Sequence, residues 1–185
     1  MTELQAEAVD ANLPIAPKVK GVSIGVAEPD ALLLLGGHAK DAAFAKAVKS
    51  ALRVDLPSPG EQAGKQRLLI WQGYGRWLVY CHSSGAAAFA ALNKAMGEEA
   101  PISDVTDGYV ALAIEGEKLR DLLAIGSSTD CSAEALPVGS TAVLRFAELP
   151  ASLIVTGRDK VLLLVERASK DYVWTWLCRA VGLLS

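Results

Sequence analysis

The chain has 185 residues, 51% of them hydrophobic and 21% charged, with a net charge of −3 at pH 7. That length supports one large domain or two small lobes with substantial cores. No cluster of lysine and arginine forms a stripe, so nucleic acid is not an expected partner, and apolar runs such as Ala31-Leu-Leu-Leu-Leu35 are far too short to span a bilayer.

The chain begins Met1-Thr-Glu-Leu-Gln-Ala-Glu7, without the basic start and apolar stretch of a secretory signal. Cys81, Cys131 and Cys178 stand far apart, and none belongs to a C-x-x-C pair. An odd cysteine count without a signal predicts reduced thiols, buried as small hydrophobes, in a soluble cytoplasmic protein.

Residues 1–20 mix charge, alanine and two prolines, Pro14 and Pro17, and read as an arm, either disordered or laid on a neighbour. Ordered structure is expected from Gly21, where Gly-Val-Ser-Ile-Gly-Val alternates. A short buried strand at residues 32–35 runs into Gly36-Gly37. Asp41 is placed to cap a helix whose apolar residues Phe44, Val48 and Leu52 recur every fourth position. After the break at Pro57, Pro59 and Gly60, residues 66–72 and Arg76–Cys81 predict a hairpin turning at Gly73-Tyr-Gly75. Ser83 or Ser84 caps an alanine-rich helix that Gly97 ends.

The second half follows the same order. An alternating strand at residues 109–114 precedes Gly116, and Leu119, Leu122 and Leu123 mark a helix ending near Gly126. Pro137 and Gly139 break the chain; residues 141–147, 152–156 and 160–166 read as strands, and Ser169 is the expected cap of the last helix. Gly36 and Gly116, and likewise Pro57 and Pro137, are separated by 80 positions. The fold class expected is α+β: two related lobes, each an antiparallel sheet with helices on one face, from a duplicated strand–helix–hairpin–helix. Residues 21–100 form the first lobe and 101–185 the second, with the join at 97–107.

The inventory of reactive groups yields no catalytic signature. His38 and His82 are the only histidines and fit no metal-binding pattern. His82 adjoins Cys81 at a strand end, but strand neighbours point to opposite faces, which argues against a thiolate pair. Gly21-Val-Ser-Ile-Gly25 lacks the spacing of a dinucleotide fingerprint, and no Walker-type loop occurs. Asp104 and Asp107 read as turn chemistry rather than as a general acid and base.

The last helix carries two tryptophans. Val173, Leu177, Val181 and Leu184 form its core stripe, which Trp174 can join from one side. Trp176 points about 200° away from Trp174, alongside Tyr172 and Leu183. These three residues are the expected partner interface, unless the first lobe covers them within the same chain.

The stretch Pro101-Ile-Ser-Asp-Val-Thr-Asp-Gly-Tyr-Val-Ala-Leu-Ala-Ile-Glu-Gly-Glu-Lys-Leu-Arg-Asp-Leu-Leu-Ala-Ile-Gly126 resembles the gamma subunit of heterotetrameric sarcosine oxidase. That family has a D-x-S/T-x-G strand start, then G-x-x-A/L-R-D-L-L and a glycine closing the helix. Thr129-Asp130, Leu136-Pro-Val-Gly139 and the closing aromatic helix also match. In the first half, Gly75-Arg-Trp-Leu-Val79 is similar to the family's G-x-x-E-W-L-L segment, with arginine replacing the acidic residue. Where the family commonly has Gly-Cys-Pro, this chain has Gly126-Ser-Ser128.

The resemblance implies a non-catalytic subunit with catalytic, cofactor and metal residues absent from this chain. FAD, FMN, NAD, tetrahydrofolate and zinc are expected elsewhere in a complex with alpha, beta and delta subunits that oxidatively demethylates sarcosine to glycine. It also implies a fold related to part of the folate-binding aminomethyltransferase (glycine cleavage T-protein) family. Three alternatives follow: a free-standing folate-binding or one-carbon-transfer protein, the matching subunit of an N-methylglutamate dehydrogenase, and a homodimer when isolated. A pterin site would need a buried carboxylate and a basic residue, for which Asp104 or Asp107 and Arg120 are the candidates.

Overall fold

A computed structural model describes residues 14–97 and 101–184; the first part of the expected arm, residues 1–13, lies outside them. The chain divides into two compact units. A central unit runs Pro29–Asp107, and an outer unit combines the residues up to Glu28 with those from Gly108 onward.

In chain order, β1 (Ser23–Val26) belongs to the outer unit. The central unit follows with β2 (Ala31–Gly36), α1 (Ala42–Leu52), β3 (Gln62–Ala63), β4 (Arg67–Gly73), β5 (Arg76–Cys81), α2 (Gly85–Met96) and β6 (Ile102–Asp104). The outer unit resumes with β7 (Tyr109–Glu115), α3 (Leu119–Gly126), β8 (Thr141–Phe146), β9 (Leu149–Gly157), β10 (Lys160–Glu166) and α4 (Lys170–Leu183). The central sheet has the order β3-β4-β5-β2-β6 and the outer sheet β1-β7-β10-β9-β8, with every neighbour antiparallel.

Each unit is therefore a strand, a helix, a three-stranded meander and a helix, with one further edge strand beside the first. The α+β duplication is present; the three strands expected after Pro137 are found in the outer unit, and in the central unit the expected hairpin gains a third strand, β3. In the outer unit the edge strand β1 comes first, whereas in the central unit the edge strand β6 comes last. This moves both expected lobe boundaries. Ile24 of β1 pairs with Ile114 of β7, so β1 leaves the expected first lobe; Leu34 of β2 pairs with Ser103 of β6, so β6 leaves the second. A short alternating segment suits any sheet edge of matching register, and the partner that wins is non-local.

The expected helical stripes form the cores. Phe44, Val48 and Leu52 of α1, with Ala88 and Leu92 of α2, pack on Leu33, Leu35, Leu69, Trp77 and Val79. In the outer unit, Leu119, Leu122 and Leu123 of α3 and Val173, Leu177 and Val181 of α4 join Leu112, Ile114, Leu153, Val155 and Leu163. Each buried valine, leucine, isoleucine or phenylalanine contributes roughly 1.5–3 kcal/mol. Leu32, Ile70 and Leu78 on the other pleat are buried as well. These strands consequently read as continuous apolar runs rather than alternating ones.

The glycines separated by 80 positions share a physical cause. A Cβ on Gly36 would meet Cγ of Pro101 at 2.9 Å, and one on Gly116 would meet the carbonyl oxygen of Gly21 at 2.3 Å. In both units the segment entering the edge strand crosses over the end of the neighbouring strand, and only glycine leaves room for it.

Capping is as expected in one helix and different in two. Asp41 Oδ1 accepts from the backbone N–H groups of Ala43, at 2.8 Å, and Phe44, at 3.4 Å. Ser84 occupies the cap position of α2 with φ 58° but makes no side-chain cap bond. Instead Asp30 Oδ2 accepts from Gly85 N at 2.6 Å, supplying the cap from 55 residues away. Ser169 makes no cap bond either; α4 is preceded by a 3-10 turn, Arg167–Ser169, which ties up orphan amides by a different route.

Candidate partner surface

Helix α4 is held near each of its ends by another segment of its own unit. Trp174 is 4% exposed, and its indole Nε1 donates to the carbonyl of Pro14 at 2.7 Å. At the far end Lys118 Nζ donates to the Leu184 carbonyl, placing positive charge where the helix dipole is negative. The described part of the expected arm, from Pro14, thus lies on the chain's own last helix, where Ala16 and Val19 pack against the outer core.

The three residues expected at a partner interface do not behave alike. Tyr172 is 52% and Leu183 76% exposed, and Arg179 between them is also exposed. Trp176 is half-buried and packs edge-to-face on Phe146, ring centroids 5.1 Å apart. It is no free anchor: Phe146 of β8, in its own unit, covers part of it. The sequence reading also missed Tyr74, 89% exposed at the β4–β5 turn, where the His38 ring meets it edge-on with centroids 6.1 Å apart. The glycine-flanked turn marked that position, but composition alone does not distinguish an outward tyrosine from a packed one.

The groups singled out for chemistry are occupied in structural roles or dispersed. Cys81 is buried in the central core, and burial pushes its thiol pKa up. The His82 ring lies against Tyr80, 4.9 Å between centroids, and burial lowers its pKa. Burial likewise raises the thiols of Cys131 and Cys178. Asp104 accepts from Thr106 Oγ1 at 2.6 Å and from Thr106 N at 3.0 Å; the hydroxyl first, then the amide, holds its carboxyl below the ordinary value. Asp104 and Asp107 are both exposed and belong to the central unit, while Arg120 belongs to the outer one. Arg120 donates to the carbonyls of Cys131 at 2.7 Å and Leu136 at 3.3 Å, pinning the α3–β8 loop.

An open cleft of about 370 Å³ in the central unit is lined in part by His38, Asp41, Phe44 and Met96. The Asp41 carboxylate there is already committed to the α1 amides. Among the described residues, no group of three or more His, Cys, Asp or Glu is placed to hold a metal ion, and no helix is long and apolar enough to cross a membrane.

Two duplicated units of this topology define a class of fold seen in solved proteins. Heterotetrameric sarcosine oxidase from Corynebacterium sp. U-96, in complex with pyrrole 2-carboxylate, contains a chain that superposes with a TM-score of 0.85 at 21% identity, over 92% of this chain and 88% of that one. Glycine cleavage system aminomethyltransferase T from Bartonella henselae gives a TM-score of 0.64 at 18% identity, over 85% of this chain but only 45% of that one. No curated protein matches the sequence. The sequence profile of the sarcosine oxidase, gamma subunit family matches residues 36–182. The chain belongs to that family.

Proposed function

We propose that this chain is a non-catalytic, gamma-like subunit of a flavin-dependent sarcosine oxidase complex that oxidatively demethylates sarcosine to glycine. The observation that carries the reading is the family match over residues 36–182. The superposition on a chain of a heterotetrameric sarcosine oxidase supports it, as does the structural use of the ionisable groups. Its partners are alpha, beta and delta subunits, and the assembly works in the cytoplasm. FAD, FMN, NAD, tetrahydrofolate and zinc are held by those other chains.

Within this reading the exposed strip of α4 faces a partner subunit. Tyr172 and Leu183 supply apolar contact, and Trp176, half-buried beside Phe146, contributes less. Tyrosine is enriched among residues that dominate binding energy. Co-expression with candidate alpha and beta chains tests the proposal: joint elution from size exclusion supports it, and separate elution removes it. The folate-carrier alternative loses its residue basis, because neither Asp104 nor Asp107 is buried and Arg120 is engaged with backbone carbonyls. Calorimetry with a reduced folate gives no heat on this reading; saturable heat would favour the carrier.

A further inference from the structure

We propose that the segment from Pro14 to Gly21 is a latch that opens as a local unit and controls access to Cys178. Trp174 and Cys178 lie four residues apart on one face of α4, and a single carbonyl covers both. Pro14 O accepts from Trp174 Nε1 at 2.7 Å and lies 3.8 Å from Cys178 Sγ. Beyond that point the segment is held by two modest apolar side chains, Ala16 and Val19, packed on the outer core. Ile15, Lys18 and Lys20 point away, with Ile15 89% exposed.

The other end of the segment is fixed far more firmly. The Gly21 carbonyl accepts from Lys118 N at 2.8 Å, and it lies so close over Gly116 that a Cβ there would come within 2.3 Å of it. Gly21 has φ +90°, a conformation that glycine adopts without strain. Among the described residues, the stretch is thus hinged at Gly21 and closed at Pro14 by the indole hydrogen bond and the longer thiol contact, with two partly buried apolar side chains between. Such segments open with a small fraction of the free energy of global unfolding. Opening uncovers the Cys178 thiol without disturbing the sheet. Tyr172 projects about 200° around α4 from Trp174, so the latch and the exposed strip lie on different sides of that helix.

The test is thiol labelling of the full chain with an aromatic disulfide reagent, each cysteine followed by peptide mass. Trp174→Phe keeps the ring and removes the donor. It should speed modification of Cys178 by about fivefold, the effect of one ordinary hydrogen bond, while Cys81 and Cys131 keep their wild-type rates. Val19→Ser, which loosens the packed part of the latch, should act in the same direction. An unchanged Cys178 rate in both variants overturns the proposal. So does equal acceleration of all three thiols, which would mean general loosening.

Discussion

Phe146 and Trp176 meet edge to face, with ring centroids 5.1 Å apart and planes at 75°. The tryptophan that the helical projection turned outward is therefore held by a strand of its own unit. Trp176→Ala should lower the stability of the isolated chain by about 1–3 kcal/mol, from lost burial and the lost aromatic pair. Urea denaturation measures this, and an unmoved midpoint would contradict the assignment.

Tyr172 and Leu183 should respond in the opposite way. Both are exposed, so Tyr172→Ser with Leu183→Ser should leave stability within about 0.5 kcal/mol per site. The same double variant should weaken association with partner subunits at least tenfold. Unchanged affinity in a titration would remove this face of α4 from the interface.

The cap of α2 offers a paired comparison. Asp30→Ala removes the acceptor of Gly85 N and should cost about 1 kcal/mol. Ser84→Ala removes a side chain that makes no cap bond and should be nearly neutral by the same measurement. Reversed magnitudes would restore the serine as the cap.

Asp104 provides a pH dependence. Hydrogen bonds from Thr106 lower its folded-state pKa below the ordinary value of 3.8. A carboxylate lowered in this way contributes stability that is present above its unfolded pKa and is lost as pH falls through the folded value. Thr106→Val removes the hydroxyl donor and should move the Asp104 titration upward, toward the ordinary value. Carboxyl NMR reads this directly, and an unmoved midpoint would contradict the Thr106 assignment.

The sequence was most legible where the determinants are local. Asp41 with Phe44, Val48 and Leu52 defined α1 and its buried face, and the paired Gly36 and Gly116 revealed the duplication. What crosses above those glycines, Pro101 in one case and Gly21 in the other, could not be read, because the contact joins segments far apart in the chain. The same reason explains the misplacement of β1, whose alternation states a preference for a sheet edge but not for which sheet, and of β6, which falls in the stretch read as the join. Asp30 replaced Ser84 as a cap, and Arg120 turned from a ligand candidate into a loop staple, again through distant backbone groups. The Ala147-Glu148 turn was also hidden: both residues have positive φ, 48° and 69°, without the glycine or asparagine that usually marks such a turn. Arg145 Nη2 supports it by donating to the Glu148 carbonyl at 2.7 Å. The candidate interface was legible as a composition of apolar residues on α4, but its division into a held tryptophan and an exposed tyrosine and leucine required Phe146 in place.

Native mass measurement of the chain co-expressed with candidate alpha, beta and delta subunits is the sharpest check on the proposed accessory role. One species containing a single copy of each is expected, with the flavin absent from this chain after mild dissociation. A chain found only at its own mass while the other three assemble without it, or one that retains flavin by itself, would overturn that role.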